Sequence, residues 1–102
     1  MPGTLDLLIL KTLSRQTLHG YGIAQQIKLT SNDVLEVEEG SLYPALQRLE
    51  LKRLVQSEWR MTPQNRRARF YELSAAGRER LVAAEADFDR LVSAVQRVLR
   101  PA

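Results

Sequence analysis

The stretch EEGSLYPALQRLE, residues 38–50, carries the clearest helical pattern of the 102-residue sequence. Its apolar side chains recur at i, i+3, i+4 and i+7, the spacing of one helix face, and they are Leu42, Ala45, Leu46 and Leu49. Because Pro44 lacks a backbone N–H and disfavours a helical residue before it, the helix is predicted to begin near Ser41. The opposite face and the N-terminal end then carry the remaining side chains: Ser41, Tyr43, Pro44, Gln47 and Arg48.

Two more helices are predicted before this segment. The first covers residues 4–13, with its first residue as the N-cap, and its apolar face includes Leu5, Leu8, Ile9 and Leu13. Since Leu7 and Leu10 are apolar as well, this helix must bury more than one face, which indicates a partner subunit. The second helix opens at the glycine-containing residues 19–22 and ends near residue 31 or 32. A short extended piece over residues 34–37 follows it.

A basic β-hairpin is predicted after the third helix. Residues 54–60 and 68–73 are rich in Val, Trp, Phe and Tyr, and they flank a polar stretch that contains residues 62–65. Ten residues of this region, 60–69, contain no acid, and they hold four arginines: Arg60, Arg66, Arg67 and Arg69. A concentrated basic patch is typical of a phosphate-binding surface, although a run of this size also occurs as a solvated loop.

The net charge of +3 is unevenly distributed along the chain. Residues 1–51 hold four Lys/Arg and six Asp/Glu, a net charge of −2, whereas residues 52–102 hold eleven and six, a net charge of +5. The hairpin therefore lies in the basic half of the sequence.

The last predicted helix covers residues 75–99, with Ser74 as its N-cap. Its apolar residues alternate in steps of three and four, the seam of a short coiled coil, and they are Leu81, Ala84, Phe88, Leu91, Val95 and Val98. Val92 widens this seam on one side. The seam predicts that two copies of the chain associate.

The order helix, helix, helix, hairpin, helix suggests double-stranded DNA as the partner. A helix fits the major groove, where Gln can read adenine and Arg can read guanine, so the third helix is the candidate reading helix. The alternative is an ordinary amphipathic helix with a solvated face. Arg66 and Arg67 are best placed for phosphates or a narrow minor groove. Arg69 is a further candidate DNA contact, but it or Arg60 could instead pair with Glu58 or Glu72.

The composition excludes several other classes of function. The sequence has no cysteine and one histidine, so a thiolate nucleophile and a cysteine-ligated zinc site are excluded, and we predict neither metal nor cofactor. His19 is expected to be structural, and Trp59 to pack on the hairpin or stack on a ligand. No catalytic constellation is found, so the chain is predicted not to be an enzyme. With no signal peptide and no long apolar run, it is expected in the cytoplasm.

Four segments resemble the PadR family of transcription regulators, over nearly the whole chain. They are TLDLLILKTL (4–13), LHGYGIAQQI (18–27), EEGSLYPALQRLE (38–50) and RRARFYELSAAG (66–77), and GSLYPALQRLE is the most specific. The resemblance implies a mainly α fold with a small β-hairpin, in which residues 1–74 form a winged helix-turn-helix. Residues 75–102 would be a dimerisation helix within the same single domain.

The same resemblance implies site residues and partners. The family's reading helix supplies contacts at the positions of Ser41, Tyr43, Pro44, Gln47 and Arg48. Its wing corresponds to Asn65, Arg66 and Arg67, and the tyrosine with which it contacts the DNA backbone corresponds to Tyr21. The long helix would pack with helix one of a partner, through Leu5, Leu8, Ile9, Leu81, Ala84, Phe88, Leu91, Val92, Val95 and Val98. Family members are usually repressors that act as dimers on DNA, and some respond to a small-molecule effector. One departure is Arg53, which stands where the family generally has the glycine that closes helix three.

A second class of function stays open. Winged helices are also used as protein-interaction modules that do not bind DNA, and fold alone does not separate the two. The basic hairpin favours DNA.

Overall fold

The computed structural model describes residues 3–101, and its elements follow the predicted order. They are α1 (Thr4–Arg15), β1 (Leu18–His19), α2 (Gly20–Thr30), α3 (Glu39–Leu51), β2 (Val55–Met61), β3 (Arg67–Leu73) and α4 (Ala75–Leu99). The strands form one antiparallel sheet in the order β1-β3-β2. The predicted mainly helical fold with a small hairpin is therefore confirmed.

The core lies where the first three helices meet the sheet and the start of α4. The inward face of α3 is buried as the spacing predicts, with Leu42, Ala45 and Leu46 fully inaccessible to solvent. Around it lie Ile9, Leu10 and Leu13 from α1, Ile23 and Ile27 from α2, Val55, Tyr71 and Leu73 from the sheet, and Leu81 from α4. Burial of these side chains is the main stabilising contribution and packs α3 against the base of the hairpin.

Several predicted boundaries are wrong, and each has a local cause. α1 is capped by Gly3, with φ 92°, so that Thr4 is its first helical residue. α3 begins at Glu39, two residues before Ser41, because the Ser41 and Leu42 N–H groups donate to the Glu38 carbonyl at 3.0 and 2.9 Å and close the first turn ahead of Pro44. Residues 34–37 form no strand, and the two-residue strand β1 was too short to show a periodic pattern.

Arg53 adopts the left-handed conformation that the family resemblance assigns to a glycine. Its φ is 60°, and its N–H donates to the Glu50 carbonyl at 2.9 Å while that of Leu54 donates to the Leu49 carbonyl at 3.0 Å. These two bonds form a Schellman motif, which closes α3 and turns the chain into β2.

We predict that Arg53→Gly stabilises the protein by about 0.5 to 1 kcal/mol, since the left-handed penalty that it removes exceeds the cost of the larger unfolded-state entropy of glycine. Chemical denaturation measures the change. Lys52→Gly is the matched control, because Lys52 has φ −82° and should only lose stability. Equal destabilisation by both glycines would contradict the assignment of strain to Arg53.

The start of α4 is fixed against the turn between α3 and β2. Ser74 Oγ accepts a hydrogen bond from the Gly77 N–H at 3.0 Å, as an N-cap should, and donates one to the Arg53 carbonyl at 2.7 Å. A Cβ at Gly77 would lie 2.0 Å from the Leu54 carbonyl oxygen, so this position requires glycine. The long helix therefore leaves the domain in a defined direction.

Candidate nucleic-acid interface

The outward face of α3 is exposed as predicted. Ser41, Tyr43, Pro44, Gln47 and Arg48 are all exposed, opposite the buried leucines of the same helix. A helix that is held by its inner face and polar on its outer face can be presented to a groove of DNA without unfolding anything.

Tyr43 connects α3 to the N-terminal end of α2. A Cβ at Gly20 would lie 2.7 Å from Cε1 and 2.8 Å from Oη of Tyr43, so the glycine is what lets this ring approach the helix end. Tyr21 is exposed beside it and stacks on His19, with ring centroids 6.4 Å apart. His19 Nδ1 accepts the Gly22 N–H at 3.0 Å and so caps α2, which is the structural use that the sequence predicted for the only histidine.

The hairpin tip forms a compact turn that presents its polar residues. The Thr62 N–H donates to the Arg66 carbonyl at 2.7 Å and the Asn65 N–H to the Thr62 carbonyl at 2.9 Å. Asn65 has φ 59°, a left-handed conformation that asparagine tolerates better than most residues. Asn65 and Arg66 are thereby placed at the outermost part of the wing.

Trp59 organises the arginines on the strands of the wing. It pairs across the sheet with Arg69, is 55% exposed, and lies under the guanidinium of Arg67, whose carbon is 5.2 Å from the ring centroid. Cation–π contacts of this kind restrain an otherwise flexible side chain.

The aromatic and basic residues of these elements meet in one groove between α2, α3 and the wing. Its lining consists of His19, Gly20, Tyr21, Tyr43, Trp59, Thr62, Gln64, Arg66, Arg67, Ala68 and Arg69. Rings, hydroxyls and guanidinium groups around a groove suit a phosphodiester backbone, which is anionic and has apolar sugar faces. Tyr21, Tyr43 and the wing arginines, predicted as DNA contacts from separate parts of the sequence, are thus brought together.

The structure separates the arginines into paired and unpaired ones. Arg48 Nη2 lies 3.2 Å from Asp6 Oδ1 of α1, and Arg60 pairs with Glu58, one of the two partners that the sequence offered. Arg69 bonds instead to Glu50 of α3, with Nη2 3.1 Å from Oε2. Within residues 3–101, Arg66 and Arg67 take part in no ion pair, so their charge is available to a ligand.

Glu50 is a residue of this surface that the sequence reasoning missed. It lies three and seven residues after Gln47 and Tyr43, and with them lines a second groove between α3 and the wing. Tyr71 lies in the same groove, and burial raises the pKa of its phenol, partly offset by the nearby Arg69 guanidinium. The spacing from Tyr43 was the available signal.

A second surface runs along α4. Leu91 is 39% exposed and Val95 44%, and Phe88, Val98 and Leu99 are exposed beside them, so the predicted seam is uncovered over most of its length. Two residues predicted for this interface, Ile9 at 0% exposure and Leu81 at 6%, are part of the core of their own chain, so the single chain offers little or nothing of either side chain to a partner.

Comparison with known proteins identifies the family. The sequence profile described as the transcriptional regulator PadR-like family matches residues 9–83, which hold α2, α3 and the whole wing. The chain belongs to this family. The resemblance expected from the four sequence segments is confirmed.

Solved structures agree with this assignment. A PadR family transcription regulator from Clostridium difficile R20291 is 25% identical, with a TM-score of 0.80 over 96% of this chain and 100% of that chain. Another PadR family regulator, from Eggerthella lenta, is 28% identical, with a TM-score of 0.81 over 98% and 85%. A transcriptional regulator from Clostridium thermocellum is 20% identical, and its TM-score of 0.88 over 96% and 95% shows the shared fold alone.

The chain is therefore a PadR-family transcription regulator. None of the helices within residues 3–101 is long and apolar enough to span a membrane.

Proposed function

We propose that this PadR-family chain binds double-stranded DNA sequence-specifically and represses transcription as a homodimer on a pseudo-palindromic operator. One observation carries the proposal: Tyr43, from the exposed face of α3, and the unpaired arginines Arg66 and Arg67 of the wing line the same groove. A repressor of this kind acts on the chromosome, which agrees with the expected cytoplasmic location.

Base reading is assigned to α3. Gln47 lies on its exposed face, where an amide can donate to and accept from adenine in the major groove. Ser41, Tyr43 and Pro44 lie nearer the N-terminal end, where hydroxyls can reach phosphates and apolar groups can contact thymine methyls. Arg48 is a weaker candidate, because its guanidinium would have to leave Asp6 to reach a base.

Phosphate binding is assigned to the wing and to the start of α2. Arg66 and Arg67 supply the charge, Asn65 extends the turn beside them, and Tyr21 lies across the groove. These contacts would fix the orientation of the protein on DNA and supply most of the sequence-independent affinity.

The homodimer is assigned to α4 and the outer face of α1. The exposed residues available for it are Phe88, Leu91, Val95 and Val98, and the partly buried ones are Leu5, Leu8, Ala84 and Val92. A two-fold dimer carries two reading helices, which is why the operator should consist of two inverted half-sites. In this arrangement residues 1–74 form the DNA-binding part, whose α1 also contributes to the interface, and residues 75–102 form the dimerisation helix.

The competing function, a protein-interaction module without DNA binding, receives less support. Arginine and aromatic residues are enriched at protein interfaces as well, but four arginines within ten residues that contain no acid form the kind of basic patch that binds a phosphate backbone.

Selection of bound sequences from random duplex DNA tests the proposal and yields the operator. On that operator, Gln47→Ala should weaken binding by about 1 to 3 kcal/mol, because a bidentate base contact is lost. On random duplex the same variant should bind as the parent does.

Gln56→Ala is the matched control for this experiment. Gln56 is exposed on the opposite face of the wing from Trp59 and Arg67. It should therefore change neither binding constant. Failure to enrich any sequence would argue for the protein-interaction module, and equal losses for Gln47→Ala on both duplexes would show that α3 does not read bases.

A further inference from the structure

Three side chains from α3 and the wing form a closed ring of hydrogen bonds. Ser57 Oγ donates to Glu50 Oε2 at 2.6 Å. Arg69 donates twice, from Nε to Ser57 Oγ at 2.7 Å and from Nη2 to Glu50 Oε2 at 3.1 Å. Each donor and acceptor is thus directed at the next, and the ring joins the last turn of the candidate reading helix to both long strands of the wing.

The position of Arg69 is fixed from two directions. The ring occupies one edge of its guanidinium, and the indole of Trp59 lies beside it, 5.9 Å from the guanidinium carbon to the ring centroid. Arg67 also contacts the Trp59 ring but makes no ion pair within the described residues. Its guanidinium is therefore held in place and is still available to bind a ligand. The two arginines of one strand face therefore differ in what they can offer to DNA.

Stability alone is a poor explanation for the ring. The side chains of Arg69 and Glu50 are 44% and 33% exposed, and ion pairs as exposed as this contribute little to the free energy of unfolding. Glu50 also brings a negative charge to the second groove, next to the one whose arginines would face phosphates, and a negative charge there lowers DNA affinity. An acid at that place indicates a geometric use.

We propose that Glu50, Ser57 and Arg69 form a latch that sets the position of the wing relative to the reading helix. Glu50 is a positioning residue in this arrangement, and Arg69 remains on Glu50 and does not transfer to a phosphate when DNA binds. This proposal rests on the proposed DNA-binding function, and it revises the prediction from sequence that Arg69 is a DNA contact.

The salt dependence of binding to random duplex tests where Arg69 is when DNA is bound. Arg69→Ala should leave the exponent of the salt dependence unchanged, whereas Arg66→Ala, the matched arginine at the wing tip, should reduce it by about 0.9. Glu50→Ala should increase the exponent by about 0.9, since it releases Arg69 toward the backbone. A reduction by Arg69→Ala equal to that by Arg66→Ala would overturn the proposal.

Selectivity tests whether the latch positions the wing. Glu50→Ala and Arg69→Ala should both lower the preference for the selected operator over random duplex at least 5-fold. Ser57→Ala, which removes only the bridging hydroxyl, should lower it less. If Glu50→Ala instead changes the preferred base at one operator position, Glu50 reads a base directly, since a carboxylate can accept from cytosine, and the latch is refuted.

Hydrogen exchange of the free protein provides a test that does not need DNA. Glu50→Ala and Ser57→Ala should accelerate exchange of the backbone amides in β2 and β3 while leaving those at the start of α4 unchanged. Unchanged exchange in the wing would refute the latch whether or not the protein binds DNA. Accelerated exchange in a protein that binds no duplex would support the latch and refute only the proposed function.

Discussion

Replacing Arg66 and Arg67 together by alanine should weaken binding to any duplex by about 30-fold at 0.15 M salt. Each lost phosphate contact lowers the exponent of the salt dependence by about 0.9, so that the double variant should show an exponent smaller by about 1.8. The effect is expected on operator and random DNA alike, because phosphate contacts carry no direct sequence information. Binding to both duplexes across a salt series measures it.

The matched control removes the same charge from a different place. Arg97 and Arg100 lie at the C-terminal end of α4. The N-terminal end of this helix lies beside the turn after α3, and the helix is about 37 Å long at 1.5 Å per residue, so the two arginines are far from that turn. Arg97→Ala with Arg100→Ala should leave the exponent unchanged. If the wing variant keeps the parental exponent on both duplexes, its arginines are ordinary surface charges and the DNA contacts lie elsewhere on the molecule.

The elements of this fold were predictable where the sequence repeats a pattern. The apolar faces of α3 and α4 repeat over several turns, and the two strands of the hairpin flank a polar stretch. All three elements were therefore predicted from the sequence. β1 was missed because it consists of two residues whose pairing with Tyr71 and Phe70 is a tertiary contact. The left-handed turn at Arg53 was expected only through the family resemblance, since arginine itself gives no such signal.

Exposure in the candidate site was easier to predict than pairing. The period of α3 determines which side chains point outward, and all five were placed correctly. The partners of Arg48 and Arg69 were not predictable, because Asp6 and Glu50 are distant in sequence and meet them only in the folded chain. The burial of Ile9 in its own chain was not predictable either, since a helix that is apolar nearly all round does not reveal which of its faces the core of the same chain covers.

Leu91→Asp is expected to convert the proposed homodimer into a monomer. Leu91 lies in the uncovered seam of α4, and a carboxylate there would be buried without a counter-charge in the proposed dimer, which is strongly unfavourable. The single chain should keep its fold, because Leu91 and Val95 are exposed in it and lie outside its core. Sedimentation at micromolar concentration should change from a mass of twice 11.6 kDa to 11.6 kDa.

Ser93→Asp provides the control for charge on the same helix. Ser93 is exposed, and it is two residues from both Leu91 and Val95, which places it on nearly the opposite side of the helix at 3.6 residues per turn. A carboxylate at this position should therefore leave the dimer intact. Val95→Asp should behave as Leu91→Asp does, and either monomeric variant should contact one half-site and lose most of its operator affinity. Variants at Leu91 and Val95 that still sediment as dimers would show that α4 does not form the interface. The partly exposed residues Leu5 and Leu8 of α1 would then be the next to test.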